Sequence, residues 1–357
     1  MERNLLVMAD WMRRVGHHVS LGAVQGTPTW EEAIRRNLSP HPVSHHPRRA
    51  TVSDVRRMRQ RMAGNDVLWI RAPRDLDLAG RACRHSPTKL LMQQAMQIGR
   101  PKTFFWHQRR YRSVDAWVCG LHALEERTLA LTPLVGRQTH VIPLPLEEAW
   151  FDTPQRSKME AREKLGLHLP DGATLVGTVG RLDEGKGQRL TLDALPALPD
   201  HVHVLFVGDN TVNNGRDERS ELRLKAQALG MEHRVHWLGA MRDVLPVYDA
   251  LDVFAMTSHA ETIGTVTLEA MARRVPVVGS AAGGTKELLD EGRGQTFPSR
   301  DAAALASVVR ATLGQSDTER KQQLDLAFAL AMKSSHSEQS AIWERLLQSV
   351  VGSGEKA

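Results

Sequence analysis

At 357 residues the chain is too long for one ordinary core and suits two domains of common size. Its composition, 41% hydrophobic and 25% charged, is that of a globular protein, and two cysteines, Cys83 and Cys119, exclude a disulfide scaffold and a thiolate zinc site. The net charge of +6 is unevenly shared, because residues 1–150 hold 23 Lys and Arg against 13 Asp and Glu.

No apolar run approaches the ~18 residues of a spanning helix. The first ten positions carry Glu2, Arg3, Asn4 and Asp10, which does not fit a secretory leader. A soluble, cytoplasmic protein is expected. The basic excess gathers between Arg48 and Arg84, where ten arginines lie. Such a field suits a polyanion: nucleic acid, an acidic membrane surface or a phosphorylated glycolipid. The other account is an Arg-biased, solvated face.

In chain order, Leu5–Val15 has amphipathic helical spacing and stops at Gly16. His18–Val24, Asp66–Ile70, Lys102–Trp106 and Ala116–Gly120 read as strands, and Ser39–Arg49 as loop. A linker is expected over Ile142–Asp152, with Pro143 and Pro145. Beyond it, strands are predicted at Thr174–Gly180, His201–Gly208, Arg234–Gly239, Asp252–Met256 and Val275–Gly279. Helices such as Arg216–Ala228 and Thr265–Arg273 separate them. Continuous apolar strands alternating with helices predict a parallel sheet covered on both faces, a Rossmann-like domain. Ser337–Val351 has helical spacing and the length to cross back onto the first domain. The expected division is therefore 1–145, 146–335 and a returning helix at 336–357.

The most informative segment runs from Glu261 to Glu269, two carboxylates eight positions apart around a Gly-Thr turn that starts a helix. Gly264 lets backbone pass close to a ligand. The amides of Gly264, Thr265 and Val266 open a helix, which suits an anion or a sugar hydroxyl. Glu269, one turn in, can accept two hydrogen bonds from a ribose diol. Both acids also suit a plain helix start, complementing its dipole.

A second segment follows the strand at Thr174. Gly180-Arg181 and then Lys186-Gly187 set two cations over the strand's carboxyl end, where open α/β sheets bind ligands. Two cations there would grip a diphosphate through charge-assisted bonds, each worth about 1.5–3 kcal/mol. An exposed basic loop is the bland account of each residue taken singly.

These blocks, in order, resemble the retaining nucleotide-sugar glycosyltransferases of family 4, the group 1 type with the E-x7-E motif. The matching pieces are Val179-Gly-Arg181…Lys186-Gly187, Val207-Gly208-Asp209, Val235…Gly239, Glu261…Glu269-Ala-Met-Ala, and Val275-Pro-Val-Val with Gly283…Glu287. The resemblance covers residues 174 to 310.

It implies a GT-B fold, two Rossmann-like α/β domains facing a cleft. It implies transfer of a hexosyl or N-acetylhexosaminyl group from a nucleoside diphosphate, uridine preferred to guanosine, to a surface glycan or lipid-linked saccharide. Arg181 and Lys186 would hold the leaving diphosphate. Glu261 would contact the donor sugar beside the amides of Ile263, Gly264 and Thr265. Glu269 would hold the ribose, and Met241 and Arg242 would meet the base. No metal or other cofactor is expected. His107, at the end of the predicted strand Lys102–Trp106, matches a histidine that would reach the donor sugar. The acceptor, with peripheral contact to an acidic membrane at its inner face, is assigned to the N-terminal half.

Two departures stand out. The family opens with a strand and a Gly-rich loop, whereas this chain starts within a helix, so the N-terminal domain lacks its first strand or the start is truncated. Only Gln108–Ser113 separates His107 from the next strand, where a helix is usual. Both keep open a non-catalytic, nucleotide-sugar-binding or scaffolding relative. Asp75-Leu-Asp77 has the spacing of a metal-binding D-x-D, a pattern common by chance. A dehydrogenase lacks its G-x-G-x-x-G here, and no nucleic-acid recognition motif accompanies the arginines.

Overall fold

The computed structural model describes residues 2–43, 50–211 and 215–352. Residues 44–49 lie outside the described residues. They include Arg48 and Arg49 of the basic run and most of the expected loop Ser39–Arg49. The chain forms two compact units: Met1–Glu147 with Ser334–Ala357, and Glu148–Lys333.

The first unit opens with helix Glu2–Arg14 and holds two parallel sheets. One pairs β1 (Gly22–Ala23) with β2 (His41–Pro42). The other runs in the order β3 (Val67–Ile70), β4 (Lys89–Gln93), β5 (Ala116–Cys119), β6 (Thr139–Val141). The opening helix serves both. Its Met8, Trp11 and Met12 join Leu91, Ala116 and Val118 of the larger sheet, while Leu6 and Ala9 pack with Leu21, Ala33 and Leu38.

Helix His336–Gly352 completes this core with Trp343, Leu346 and Val350. The Trp343 ring stacks on Trp69 at 4.5 Å. The backbone N–H of Leu146 donates to the Ser334 carbonyl at 2.7 Å, so the two segments of the unit meet where the chain leaves and returns. Among buried polar groups, Gln94 Oε1 accepts from Trp117 Nε1 and Thr128 Oγ1, each at 2.7 Å.

Several expectations for this unit are corrected. Lys102–Trp106 is no strand: residues 102–104 are irregular and Phe105–Tyr111 is a helix. The sheet position is taken by β4, whose buried Leu90, Leu91 and Met92 outcompete the exposed Phe104-Phe-Trp run. The helix expected to be missing before β5 is therefore present. His18–Val24 shortens to the two residues of β1, and β2 lies inside the expected loop.

The second unit is a six-stranded parallel sheet, β7 (Thr174–Val179), β8 (Val202–Val207), β9 (Val235–Leu238), β10 (Val253–Met256), β11 (Val277–Ser280) and β12 (Gln295–Phe297). Their order across the sheet is β12-β11-β10-β7-β8-β9. From β7 the chain winds outward to β9, then crosses back to β10 and winds the other way. The reversal places β7 beside β10, with Val253 opposite Val176. At such a switch point the loops on the two neighbouring strands diverge and leave a crevice.

Apolar residues fill both faces: Val176, Val204, Phe206, Val253, Ala255 and Val278 line one, and Leu175, Leu205, Phe254 and Val277 the other, all essentially inaccessible. Helix starts are set locally, as Ser157 and Ser316 form reciprocal capping boxes with Glu160 and Glu319. Arg273 is buried and grips Asp249 at 2.7 Å, while its other amine donates to the Thr153 carbonyl at 2.7 Å.

Candidate nucleotide-sugar site

Two loops meet at the switch point. After β7 the backbone turns at Gly180 and runs through Arg181 to Lys186. Asp183 holds this loop: one carboxylate oxygen accepts from the Gly185 amide and the other from Thr211 Oγ1, each at 2.9 Å. Those bonds lower its pKa below the ordinary carboxylate value. Thr211 follows β8, so the acid ties the β7 loop to its neighbour. The close approach is tight elsewhere too, since a Cβ at Gly208 would lie 1.9 Å from the Gly180 carbonyl oxygen.

After β10 the chain passes Thr257 to Glu261 and enters helix Thr265–Ala272. Lys186 Nζ donates to Glu261 Oε2 at 2.7 Å, and Ser258 Oγ donates to the same oxygen at 3.2 Å. Thr257 Oγ1 donates to the Lys186 carbonyl at 3.0 Å, and the His259 amide to the Gly185 carbonyl at 2.9 Å. The two loops are thus joined at three levels. Gly187 has no room for a Cβ, which would stand 2.2 Å from the Thr257 carbonyl oxygen.

Gly264 caps the helix with φ of 71°, a left-handed conformation that favours glycine. Ile263 and Gly264 are buried, whereas Thr265 and Val266 are half-buried on the first turn. The backbone N–H of Gly284, which begins the helix after β11, donates to the Glu261 carbonyl at 2.9 Å. Glu269, one turn into its helix, accepts a 2.8 Å hydrogen bond from the hydroxyl of Tyr248.

Lys186, Glu261 and Gly264 therefore come together, with Ile263, Thr265 and Val266 beside Gly264 in the chain; Arg181 is exposed earlier in the same loop as Lys186, and Glu269 lies one turn into the helix. Met241 and Arg242 follow β9 and are exposed. Their loop is linked to the β8 end because Asp209 Oδ2 accepts from the Ala240 amide at 2.9 Å. His107 belongs to the other unit. It sits in the first turn of helix Phe105–Tyr111, where burial and the charges of Lys102 and Arg110 lower its pKa. Tyr248, Ser258, Asp183 and Thr211 carry no motif of their own. Only the Asp-x-Gly turn at Asp183 gives a local signal.

The D-x-D pair is otherwise engaged: Asp77 faces Arg110 at 3.3 Å and Arg81 at 3.7 Å. Much of the Arg48–Arg84 run is also structural. Arg59 donates to three backbone carbonyls, Arg81 to that of Ala50, and burial pulls Arg71 down to about 10.

Residues 173–315 match the family described as glycosyl transferases group 1. The matched stretch contains every candidate site residue named above except His107.

Among curated relatives, the chain is 28% identical over 227 residues to the lipopolysaccharide core biosynthesis glycosyltransferase LpsE of Rhizobium meliloti, covering 64% of this chain and 59% of that protein. It is 34% identical over 191 residues to the D-inositol 3-phosphate glycosyltransferase of Xylanimonas cellulosilytica, covering 52% and 45%. Each match thus spans less than two thirds of the relative.

Likeness to solved structures extends over nearly the whole chain. Anabaena Alr3699/HepE in complex with UDP and glucose superposes with a TM-score of 0.80 at 22% identity, covering 97% of this chain and 95% of that one. A glycosyltransferase from Rickettsia africae gives 0.85 at 17% identity, covering 98% and 94%. The chain has their fold, the GT-B class expected from the sequence.

Proposed function

We propose that the protein is a retaining glycosyltransferase that uses a nucleoside-diphosphate hexose or N-acetylhexosamine. The observation that carries this is the contact of Lys186 with Glu261 beside the amino end of helix Thr265–Ala272. It gathers a cation, a carboxylate and free helix amides at one strand switch point, the groups a charged sugar nucleotide needs.

An ammonium has three donors, so Lys186 can keep Glu261 and still face a phosphate oxygen. Arg181 adds a second cation from the same loop. As the bond from the anomeric carbon to the phosphate oxygen breaks, these charges stabilise the departing diphosphate, and no metal is needed for that role. The acceptor hydroxyl bonds to the anomeric carbon and gives its proton to the leaving phosphate. Glu261 and the amides of Ile263 to Thr265 hold the sugar, Glu269 the ribose, and the Met241–Arg242 loop the base.

Uridine is the preferred base, a reading supported by the UDP named in the HepE complex. The acceptor is read as a cell-surface glycan or lipid-linked saccharide, in keeping with the lipopolysaccharide relative. Peripheral contact of a cytoplasmic protein with an acidic membrane belongs to the same reading. Among the described residues no helix is long and apolar enough to cross a membrane.

Calorimetry with UDP, GDP and their sugars tests the donor, and release of nucleotide upon adding lipid-linked saccharides tests transfer. Failure of every nucleotide to bind would remove the proposal.

A further inference from the structure

A large exposed apolar group lies in the first unit. Phe104, Phe105 and Trp106 are 63%, 72% and 48% exposed. They touch one another: Phe104 and Trp106 stack at 5.5 Å, and Phe105 meets Trp106 edge-on at 4.4 Å. Soluble proteins rarely leave three adjoining rings in water without a partner.

The segment that carries them is anchored. Arg127 Nε donates to the Ile98 carbonyl at 3.0 Å, and the Lys102 amide to the Leu131 carbonyl at 2.7 Å. Phe104 then begins helix Phe105–Tyr111, accepting from the His107 and Gln108 amides with its carbonyl. The rings are therefore displayed from a fixed base.

Their surroundings select the partner. From Leu90 to Val114 the sequence contains no acid and five cations: Arg100, Lys102, Arg109, Arg110 and Arg112. Arg100, Arg109 and Arg112 are exposed. A second copy of this face would be repelled by like charge. A neutral glycan offers the exposed cations no counter-charge. Aromatic rings ringed by long cationic side chains match the boundary of an anionic bilayer, where rings enter the acyl edge and cations meet phosphate.

We infer that Phe104, Phe105 and Trp106, with Arg109 and Arg112, form a docking surface for an anionic lipid bilayer. The inference deepens the membrane contact proposed above and rests on that reading for its purpose. It moves the contact from the Arg48–Arg84 run, where several arginines serve the fold, to this aromatic turn.

Sedimentation of the full chain with vesicles tests it, without donor or acceptor present. Wild type should be retained by phosphatidylglycerol-containing vesicles and not by phosphatidylcholine alone. Phe104→Ser/Phe105→Ser/Trp106→Ser should weaken retention about tenfold or more, with circular dichroism unchanged. Arg109→Gln/Arg112→Gln should weaken it at low salt and flatten its salt dependence. If the triple variant does not fold, Phe105→Asp, at the most exposed ring, should give the same loss.

Equal retention by neutral vesicles, or none by anionic ones, would overturn the inference. So would undiminished retention of the ring variants, the result expected if the rings serve a soluble oligosaccharide. Vesicle binding is read apart from nucleotide binding, so the transferase reading can fail alone.

Discussion

The Tyr248 hydroxyl, fully buried between Trp150 and Phe254, donates to Glu269 Oε2 at 2.8 Å. Burial and the nearby Glu269 charge push its pKa well up, so it remains a donor at every working pH. Under the proposed function, Tyr248 is a positioning residue for Glu269, the acid read as the ribose ligand. Tyr248→Phe should weaken UDP binding on the order of tenfold by calorimetry. With a 2′,3′-dideoxyribose nucleotide the two proteins should bind alike. A loss that persists with the dideoxy compound would show that Tyr248 acts on something other than the diol.

Lys186 is placed between the diphosphate and Glu261 in the proposed site. Lys186→Met should lower the rate of transfer by about 10²–10³ while leaving thermal stability near wild type. Stopped assays of nucleotide release at saturating donor measure this. A rate within threefold of wild type would remove Lys186 from the charge-stabilising role.

The rings of His203 and His236, on neighbouring strands β8 and β9, share a hydrogen bond of 3.0 Å. Burial lowers the pKa of both below the ordinary 6.5, and the Arg234 charge adds to this at His203. The folded state therefore keeps them neutral while the unfolded chain still binds protons. Their contribution is complete above pH 6.5 and declines as pH falls toward the depressed folded values. Urea midpoints at pH 7.5 and 5 should differ less in His203→Val/His236→Val than in wild type. Equal differences would refute the assignment.

Arg273 and Asp249 are a buried pair at 2.7 Å, with side chains 3% and 0% exposed. Removing Arg273 leaves the buried Asp249 carboxylate only the longer contacts from Arg156, whose backbone N–H and guanidinium reach it at 3.3 and 3.4 Å. Arg273→Met should cost about 3–5 kcal/mol in urea unfolding, and Asp249→Leu in the same chain should restore part of it. Strictly additive losses would show that the pair is not coupled.

Gly208 sits at φ of 139° with its missing Cβ directed at the Gly180 carbonyl. Gly208→Ala should cost roughly 3 kcal/mol, through backbone strain and forced separation of the β7 and β8 ends. A calorimetric scan would show it as a lowered melting temperature, and an unchanged melt would contradict the close approach.

The second unit was readable because its strands are buried on both faces and announce themselves as continuous apolar runs such as Val202–Val207. The first unit was not, for physical reasons. Strands of two residues, like Gly22–Ala23, have no period to detect. Lys89–Gln93 lacks β-branched side chains, while Phe104-Phe-Trp has strand-like residues at an exposed helix start. In the candidate site, the segments from Glu261 to Glu269 and from Gly180 to Lys186 could be singled out by their local spacing. Tyr248 and Thr211 could not, because their roles come from partners that only folding brings near.

The bond between Leu146 and Ser334 gives the chain an unusual modularity. Residues 148–333 form an uninterrupted stretch whose flanks touch, so that stretch can be excised and closed with a short connector. The remainder has no such independence. Its core is finished by Trp343, Leu346 and Val350, which are synthesised after residue 333, so a nascent chain holds all of the second unit before the first is complete.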